Sequence, residues 1–426
     1  MTDIRTLLTA HAVRIFRDAT SVNPQHQLPP DNMFIDHDPV LAEAQQFARI
    51  DIDSFPETDE LVDNILSDAD FQRIAPKEEE LDPMVIHPGG GMRRPPRMII
   101  TSLFTSAFYQ MYLLQLSQDE ETYVQIVLEA FDELRKGIRG ELIKVYDIKG
   151  YTTISFSQSI RVSTPWGIVH PTPNLRGQNL MIWSSRPTTK CILVQPKFVP
   201  VVFDRSKQPQ TSIDRTSYED DPRSIFLFPL SCALASDDPK NPMVPVMTWR
   251  TTILPFDSGG WYSYSLTMPN FSPGINFDHR VSELERWAGI VNQEHVEEID
   301  IAAKRLVSAV AHRTNKTDAL IDAVMVWENL LGTSNEVTFR VSAALSKLIE
   351  TDSTRRMEVK KNLSSIYSVR SRVVHGSQVD ANKVASASSE AIETAVNSLR
   401  ESYLKGKDWL SLKSNERSDQ ILLEWQ

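Results

Sequence analysis

One short stretch of the chain combines two side chains suited to moving protons and holding phosphate. Four residues separate Arg370 from His375, near the end of a basic helical segment. Arginine presents a fixed fork of hydrogen-bond donors that matches phosphate oxygens, and it stays charged at physiological pH. Histidine both accepts and gives a proton near neutrality. Metal-independent cleavage of RNA needs these parts: an imidazole for the ribose 2′-hydroxyl or the leaving group, and a guanidinium for the phosphate.

The same residues also have an ordinary structural interpretation. A cation and an imidazole near the C-terminal end of a helix interact favourably with the helix dipole, whether or not they react. Gly376 suits the left-handed position that closes a helix. Spacing alone therefore does not separate a catalytic pair from charges that end a helix.

The residues beside the pair leave the geometry of the site open. On an ideal helix Arg370 and His375 lie about 140° apart, so they do not share a face. Ser371, one turn before His375, does share its face and would orient the imidazole. Arg372 also lies near His375, so either arginine is a candidate for the phosphate contact. A long arginine side chain, unwinding at Gly376, or a second subunit would complete the site.

A basic segment leads up to this pair in a chain that is acidic as a whole. The formal net charge of −11 argues against non-specific nucleic-acid binding by the entire surface. Between residues 354 and 375 the only acid is Glu358. Besides the two arginines above, the predicted RNA-binding residues are Arg355, Arg356, Lys360 and Lys361. Such a patch is the electrostatic footprint of an RNA site, and a solvated helix face gives the same pattern.

Three charged residues upstream are candidates for the same cleft. They are Glu328, Glu336 and Arg340. Glu336 and Arg340 are four residues apart and would also pair on a helix surface, which contributes only about 0.3–0.5 kcal/mol.

Three segments of the C-terminal part carry a family resemblance. They are residues 322–332 (DAVMVWENLLG), 336–342 (EVTFRVS) and 366–376 (IYSVRSRVVHG). Together they resemble the HEPN superfamily, in particular its Apea-like branch, over residues 280–410. The hallmark of that family is an arginine, a polar residue, several spacers and a histidine, which Arg370, Ser371 and His375 match in order.

The resemblance implies a helical bundle that dimerises, so that two Arg370 and His375 pairs meet in one cleft. It also implies a metal-independent endoribonuclease without a cofactor, of the kind found in anti-phage defence or toxin systems. By analogy, the N-terminal 275 residues would bind a trigger or regulator. Two alternatives remain: a non-catalytic HEPN binding or dimerisation module that serves the N-terminal region, and chemistry in residues 150–270 with regulatory helices.

Hydrophobic periodicity predicts an α+β protein in three regions. Residues 1–149 are expected to be mainly helical with acidic and Gly/Pro/Arg-rich loops, 150–275 mixed or β-rich, and 276–426 a helical bundle. The expected helices are 1–20, 99–116, 119–139, 281–311, 317–331, 335–350, 353–375 and 380–404. The expected strands are 152–156, 180–184, 191–195, 199–203, 225–228, 247–254 and 261–266.

Composition narrows the class of protein. The two cysteines, Cys191 and Cys232, form neither a disulfide framework nor a metal-ligand set, which fits a cytoplasmic protein. The apolar stretch 98–116 contains several hydroxyl and amide side chains, so a buried helix is favoured over a membrane span. Residues 51–82, with twelve acids, are expected to be a solvated face or a mobile loop, and residues 87–97 a flexible basic linker.

Overall fold

The computed structural model describes residues 3–21, 50–76, 82–87, 90–172, 189–205, 224–256, 261–263, 275–333 and 336–423. Over these ranges the chain is α+β, with strands confined to its first 276 residues and helices alone after them, as the sequence predicts. The helices, α1 to α13, are Ile4–Ser21, Thr58–Ser67, Pro96–Leu113, Glu120–Arg139, Ser224–Ala235, Val281–Glu294, Asp300–Val307, Lys316–Leu331, Val337–Ile349, Ser353–Val374, Ala381–Leu404, Lys407–Leu410 and Ser414–Leu423. The strands, β1 to β11, are Met84–His87, Gly90–Arg93, Ile143–Thr152, Ile154–Ser155, Val162–Thr164, Gly167–Pro171, Cys191–Val199, Val202–Asp204, Val246–Ile253, Trp261–Ser263 and Ile275–Asn276.

The chain divides into two compact units, each assembled from separated segments. The first unit comprises residues 1–151, 170–219 and 247–265, and the second comprises 152–169, 220–246 and 266–426. Neither unit therefore coincides with one of the consecutive regions 1–149, 150–275 and 276–426. The expected strand at 180–184 lies outside the described residues.

The first unit combines antiparallel strands with helices α1, α3 and α4. Strand β3 lies between β7 and β9, and its register with β7 runs from Ile143 opposite Val199 to Tyr151 opposite Cys191. At Gly150 an added Cβ would lie 2.2 Å from the Trp249 ring, so only glycine fits there. A continuous apolar core joins these helices with helix α2 and with residues of the strands.

Helix α4 confirms the helix predicted at residues 119–139, and both of its ends are capped. Asp119 caps its first turn by accepting the Thr122 N–H at 2.7 Å. Gly140, with φ of 84°, takes the left-handed position after its last turn. Between these caps the buried residues recur at helical spacing and face the core.

The apolar helix α3 is buried, as the sequence predicts, and two of its polar side chains form hydrogen bonds inside the first unit. The Ser106 hydroxyl donates to the Leu254 carbonyl at 2.8 Å, and the Gln110 amide reaches the Ser106 hydroxyl at 3.3 Å. Within the described part of the chain, every helix is too short or too polar to cross a membrane.

The acidic stretch 51–82 contains a helix and so is not a mobile loop throughout. Helix α2 buries Leu61, Val62 and Ile65, while its charged side faces outward. Arg97 forms ion pairs with Asp53 and Asp59 of this stretch. The solvated face is therefore the alternative that the structure shows for residues 51–76. The expected linker 87–97 is also wrong in part, because β2 and the start of α3 lie there.

Two predictions of secondary structure are wrong in the second unit. The strand expected at 225–228 is part of helix α5, because a short apolar run fits a buried helix as well as a buried strand. The long helix expected at 281–311 is interrupted after Glu294. His295 leaves helical geometry there, and its ring bonds Tyr403 at 2.7 Å and Asp300 at 2.8 Å. The bond to Tyr403, which is distant in sequence, holds His295 in the break between α6 and α7.

The second unit is centred on helix α8. Helix α11 packs along α8, α10 packs on α9, and α13 contacts both α8 and α9. Leu320, Val324, Trp327 and Leu331 of α8 are fully buried, as the spacing predicts. Asn315 begins the helix by accepting the Thr317 N–H at 2.8 Å.

A buried carboxylate on α8 joins three neighbouring segments. Asp322 is 2% exposed and accepts hydrogen bonds from Arg305 at 2.7 Å, Ser308 at 2.8 Å and Arg313 at 2.7 Å. Burial raises the pKa of Asp322, but the hydrogen bonds from Arg313, Ser308 and Arg305 outweigh it and hold this pKa below its ordinary value.

This lowered pKa predicts how the second unit responds to acid. A carboxyl with a depressed folded-state pKa stabilises the fold above its unfolded pKa of about 3.9, and this stability is lost as pH falls through the folded pKa. Asp322→Asn is expected to lower the free energy of unfolding at pH 7 by about 1–3 kcal/mol and to flatten its decline below pH 4. Urea denaturation across pH 2–7 measures both effects. Asp318→Asn, exposed on the same helix, is the control, and an unaltered acid limb in Asp322→Asn would contradict the assignment.

Candidate active site

Helix α10 carries the chemistry-bearing pair, and its apolar stripe determines where Arg370 lies. Leu363, Ile366 and Tyr367 are buried on one face of this helix. Arg370 stands three residues after Tyr367 and seven after Leu363, so it continues the same stripe. Its side chain therefore starts at the edge of the core and is only 27% exposed.

Glu328 of helix α8 is the charged partner of Arg370. The Nη2 of Arg370 lies 3.6 Å from the Oε2 of Glu328, and the carboxylate side chain is 30% exposed. This distance is longer than a hydrogen bond, so the contact is a loose ion pair at a partly solvated surface. The structure thus brings together two of the residues that the sequence nominates.

His375 stands at the end of α10 with its side chain exposed. Its backbone N–H donates to the Ser371 carbonyl at 3.0 Å. Gly376, with φ of 73°, is left-handed as predicted, and the N–H groups of Gly376 and Ser377 return to the carbonyls of Val373 and Arg372. This closing motif holds the imidazole at a helix terminus open to solvent.

Gly376 offers a direct test of this helix ending. An added Cβ would meet nothing within 4 Å, so the cost of Gly376→Ala comes from the left-handed backbone and should be about 1 kcal/mol. Gly289, inside α6, also has open space around its Cβ, so Gly289→Ala should stabilise by about 0.5–1 kcal/mol. Urea denaturation compares the two variants. Effects of the same sign would contradict the assigned conformation of Gly376.

Ser371 and Arg372, which lie between Arg370 and His375, form hydrogen bonds with nearby backbone groups. The bond between Ser371 and His375 runs to the Ser371 carbonyl, not to its hydroxyl, so orientation of the ring by Ser371 stays a prediction. Arg372 donates to the Gln378 carbonyl at 3.1 Å. Of the two arginines, Arg370 therefore has the charged partner and the more buried position.

Glu336 and Arg340 are not paired with each other. The guanidinium of Arg340 instead binds the Asp419 carboxylate of helix α13. Glu336 precedes helix α9 in a left-handed conformation, with φ of 48°, and is exposed. The expected surface pair is therefore replaced by a contact between helices.

The predicted RNA-binding residues divide into two groups. Arg355 and Lys361 are exposed. Arg356 donates to the carbonyls of Glu350 at 2.7 Å and Thr351 at 3.0 Å, and the Lys360 ammonium lies 3.8 Å from the centre of the Phe339 ring. The role of all four residues in RNA binding stays a prediction. Arg355 and Lys361 are the more accessible to RNA, because Arg356 and Lys360 already contact other parts of the protein.

Two residues beneath the Arg370 and Glu328 pair were not nominated from the sequence as polar participants. Tyr367 is 5% exposed, and its ring meets the fully buried Trp327 edge-on at 5.6 Å. Burial raises the pKa of Tyr367 far above its ordinary value, Glu328 raises it further, and Arg370 opposes. The spacing that places both aromatic rings in the core gives no sign of these electrostatic contacts.

Comparison with known proteins identifies no relative, so the site is interpreted from its own geometry. No protein family model, curated protein or solved structure matches this chain. Across the described ranges, no group of three or more His, Cys, Asp or Glu is arranged to hold a metal ion. The groups that the site does present are an exposed imidazole, a half-buried guanidinium and a carboxylate.

Proposed function

We propose that this chain is a HEPN-type endoribonuclease that cleaves RNA without a metal. The observation that supports it best is the position of Arg370, at the edge of the core beside Glu328, on the same helix whose closed end presents an exposed His375. The proposed setting is anti-phage defence or a toxin system in the cytoplasm, with the N-terminal region binding a trigger.

The proposed reaction is an internal transesterification. Neutral His375 removes the proton of the ribose 2′-hydroxyl, and that oxygen forms a bond to the adjacent phosphorus as the bond to the 5′-oxygen breaks. Arg370 stabilises the charge that develops on the non-bridging oxygens. The 5′-oxygen takes a proton from a second imidazole. The products are a 2′,3′-cyclic phosphate and a 5′-hydroxyl.

A homodimer would supply that second imidazole. Arg370 and His375 lie about 140° apart around the helix axis, so one copy presents them on different sides. A two-fold arrangement places the His375 of each copy beside the Arg370 of the other. Sedimentation analysis of the purified protein tests the expected dimer.

End-labelled RNA incubated with the full chain in excess EDTA tests the proposed activity. We expect cleavage with products that end in a cyclic phosphate and begin with a 5′-hydroxyl. Absence of cleavage, including after the addition of cell extract to supply a trigger, would favour the non-catalytic HEPN module. Cleavage that survives removal of residues 281–426 would move the chemistry to the 150–270 region.

A further inference from the structure

We infer that Tyr367 is a positioning residue that takes over the carboxylate of Glu328 when Arg370 turns to a phosphate. The inference rests on the proposed function in one respect, namely that Arg370 binds a phosphate of RNA. In this inference the Tyr367 hydroxyl donates a hydrogen bond to the Glu328 carboxylate while Arg370 binds the phosphate.

The four side chains concerned come as two pairs on two packed helices. Helix α8 supplies the adjacent residues Trp327 and Glu328, and helix α10 supplies Tyr367 and Arg370, one turn apart. The rings of Trp327 and Tyr367 touch, and the carboxylate of Glu328 faces the guanidinium of Arg370. Because Arg370 follows Tyr367 by one helical turn and Glu328 directly follows Trp327, the contacting rings lie next to the ion pair. The charges of Glu328 and Arg370 both act on the pKa of Tyr367, which agrees with this placement.

The donors beneath the ion pair lack acceptors. Among the described residues, none accepts a hydrogen bond from the buried Tyr367 hydroxyl, from Nε1 of Trp327 or from Nε of Arg370. Buried polar groups are normally hydrogen-bonded, and an unpaired one is costly. These unpaired donors on the two helices that carry the ion pair are therefore available to the Glu328 carboxylate if it moves.

The ion pair itself is loose enough to exchange. At 3.6 Å the guanidinium and the carboxylate are not hydrogen-bonded, and both side chains are partly exposed. A phosphate offers Arg370 two oxygens in a fork geometry, which is a better partner than the distant carboxylate. When Arg370 leaves, Glu328 loses its charged partner, and the unpaired Tyr367 hydroxyl on the neighbouring helix can take that place.

A double-mutant cycle measures this exchange. The probe is a 2′-O-methyl oligoribonucleotide, which presents phosphates but has no hydroxyl to attack, so its affinity is independent of cleavage. Tyr367→Phe in the full chain is expected to weaken binding roughly tenfold or more, since a hydrogen bond to a charged group is lost. In a Glu328→Gln background the same change should alter affinity less than about twofold, because no charge remains to be satisfied.

Thermal unfolding without the probe separates this role from a structural one. Tyr367→Phe should leave the melting temperature unchanged or raised, since the hydroxyl has no partner at rest. The matched control is Tyr403→Phe, because that hydroxyl bonds His295 at 2.7 Å. The control should melt at a lower temperature and bind the probe as the parent chain does.

Three outcomes would overturn the inference: no binding of the probe, no loss of affinity in Tyr367→Phe, or an equal loss with Glu328 and with Gln at that position. An equal loss would mean that the hydroxyl contacts the oligonucleotide directly. If the coupling appears but no RNA is ever cut, the proposed cleavage fails while the exchange stands. If RNA is cut and the coupling is absent, the inference alone fails.

Discussion

Replacing His375 by alanine is expected to reduce RNA cleavage by at least about 10²–10⁴-fold, the usual contribution of one general acid or base. In the proposed dimer the variant loses the groups that remove the 2′-hydroxyl proton and protonate the leaving oxygen, so the upper end of this range is expected. The side chain is exposed beyond the last turn of α10, so its removal should leave the folded state and the dimer intact. Initial cleavage rates measured in EDTA give the effect.

His279→Ala is the matched control for this prediction. That histidine is also exposed in the second unit, and it contacts Asp237 at 2.8 Å, away from helix α10 in sequence. The control should cleave RNA at the parental rate. Unchanged cleavage by His375→Ala would refute the assignment of the imidazole. Loss of activity accompanied by loss of the dimer would instead show that His375 supports assembly.

Local signals were sufficient to predict much of the bundle. The buried residues of α8 recur at helical spacing, and this periodicity predicts the helix from the sequence alone. Gly376 likewise marks the end of α10, because its left-handed conformation is one that glycine adopts readily. In both cases the determinant lies within a few residues of the feature that it specifies.

Predictions failed where a distant contact decides the local structure. The helix that was expected to run through His295 breaks there because the ring bonds Tyr403, more than 100 residues later. The apolar run 225–228 continues as helix α5, which packs against α6 and α7. Burial of this kind overrides the weak local preference, and no periodicity within a run so short reports it.

Some features of the candidate site are predictable from local sequence, and others depend on contacts between distant segments. Arg370 and His375 are recognisable from residue type and spacing, whereas the loose pairing of Arg370 with Glu328 depends on how α8 packs against α10. Arg340 shows the converse, since a residue that the sequence pairs with Glu336 binds Asp419 instead. The sequence also contained no indication of a polar role for the Tyr367 hydroxyl, because an aromatic residue at core spacing is expected for packing alone.

A buried arginine near the C-terminal end of the chain holds the helix end that carries Glu328. Arg417 is 1% exposed, and its guanidinium donates to the carbonyls of Asn329 at 2.9 Å, Leu330 at 2.8 Å and Leu410 at 2.6 Å. Burial lowers its pKa to about 10, so it remains charged at neutral pH. A cation is favourable at this position because the last carbonyls of α8 form the negative end of the helix dipole.

Arg417→Met is therefore expected to destabilise the second unit by about 3–5 kcal/mol. Methionine keeps much of the volume but leaves two buried carbonyls and one partly buried carbonyl without their donor. Each buried unpaired group costs about 1–3 kcal/mol. Hydrogen–deuterium exchange of peptides from residues 316–331 should show faster exchange, and urea denaturation should show the lower stability. Arg417→Lys should recover only part of the loss, because one ammonium group cannot reproduce the fork that reaches all three carbonyls.

Arg286→Met is the matched control, because Arg286 forms an exposed pair with Glu283 at 3.0 Å on helix α6 of the same unit. A surface pair of this kind contributes about 0–1 kcal/mol, so exchange in residues 316–331 should be unchanged. If Arg417→Met lowered stability no more than this control, the end of α8 would be held by packing alone. If exchange rose in residues 316–331 and cleavage fell with it, the position of Glu328 would depend on a residue nearly 90 positions away, since Arg417 stands 88 residues after Asn329.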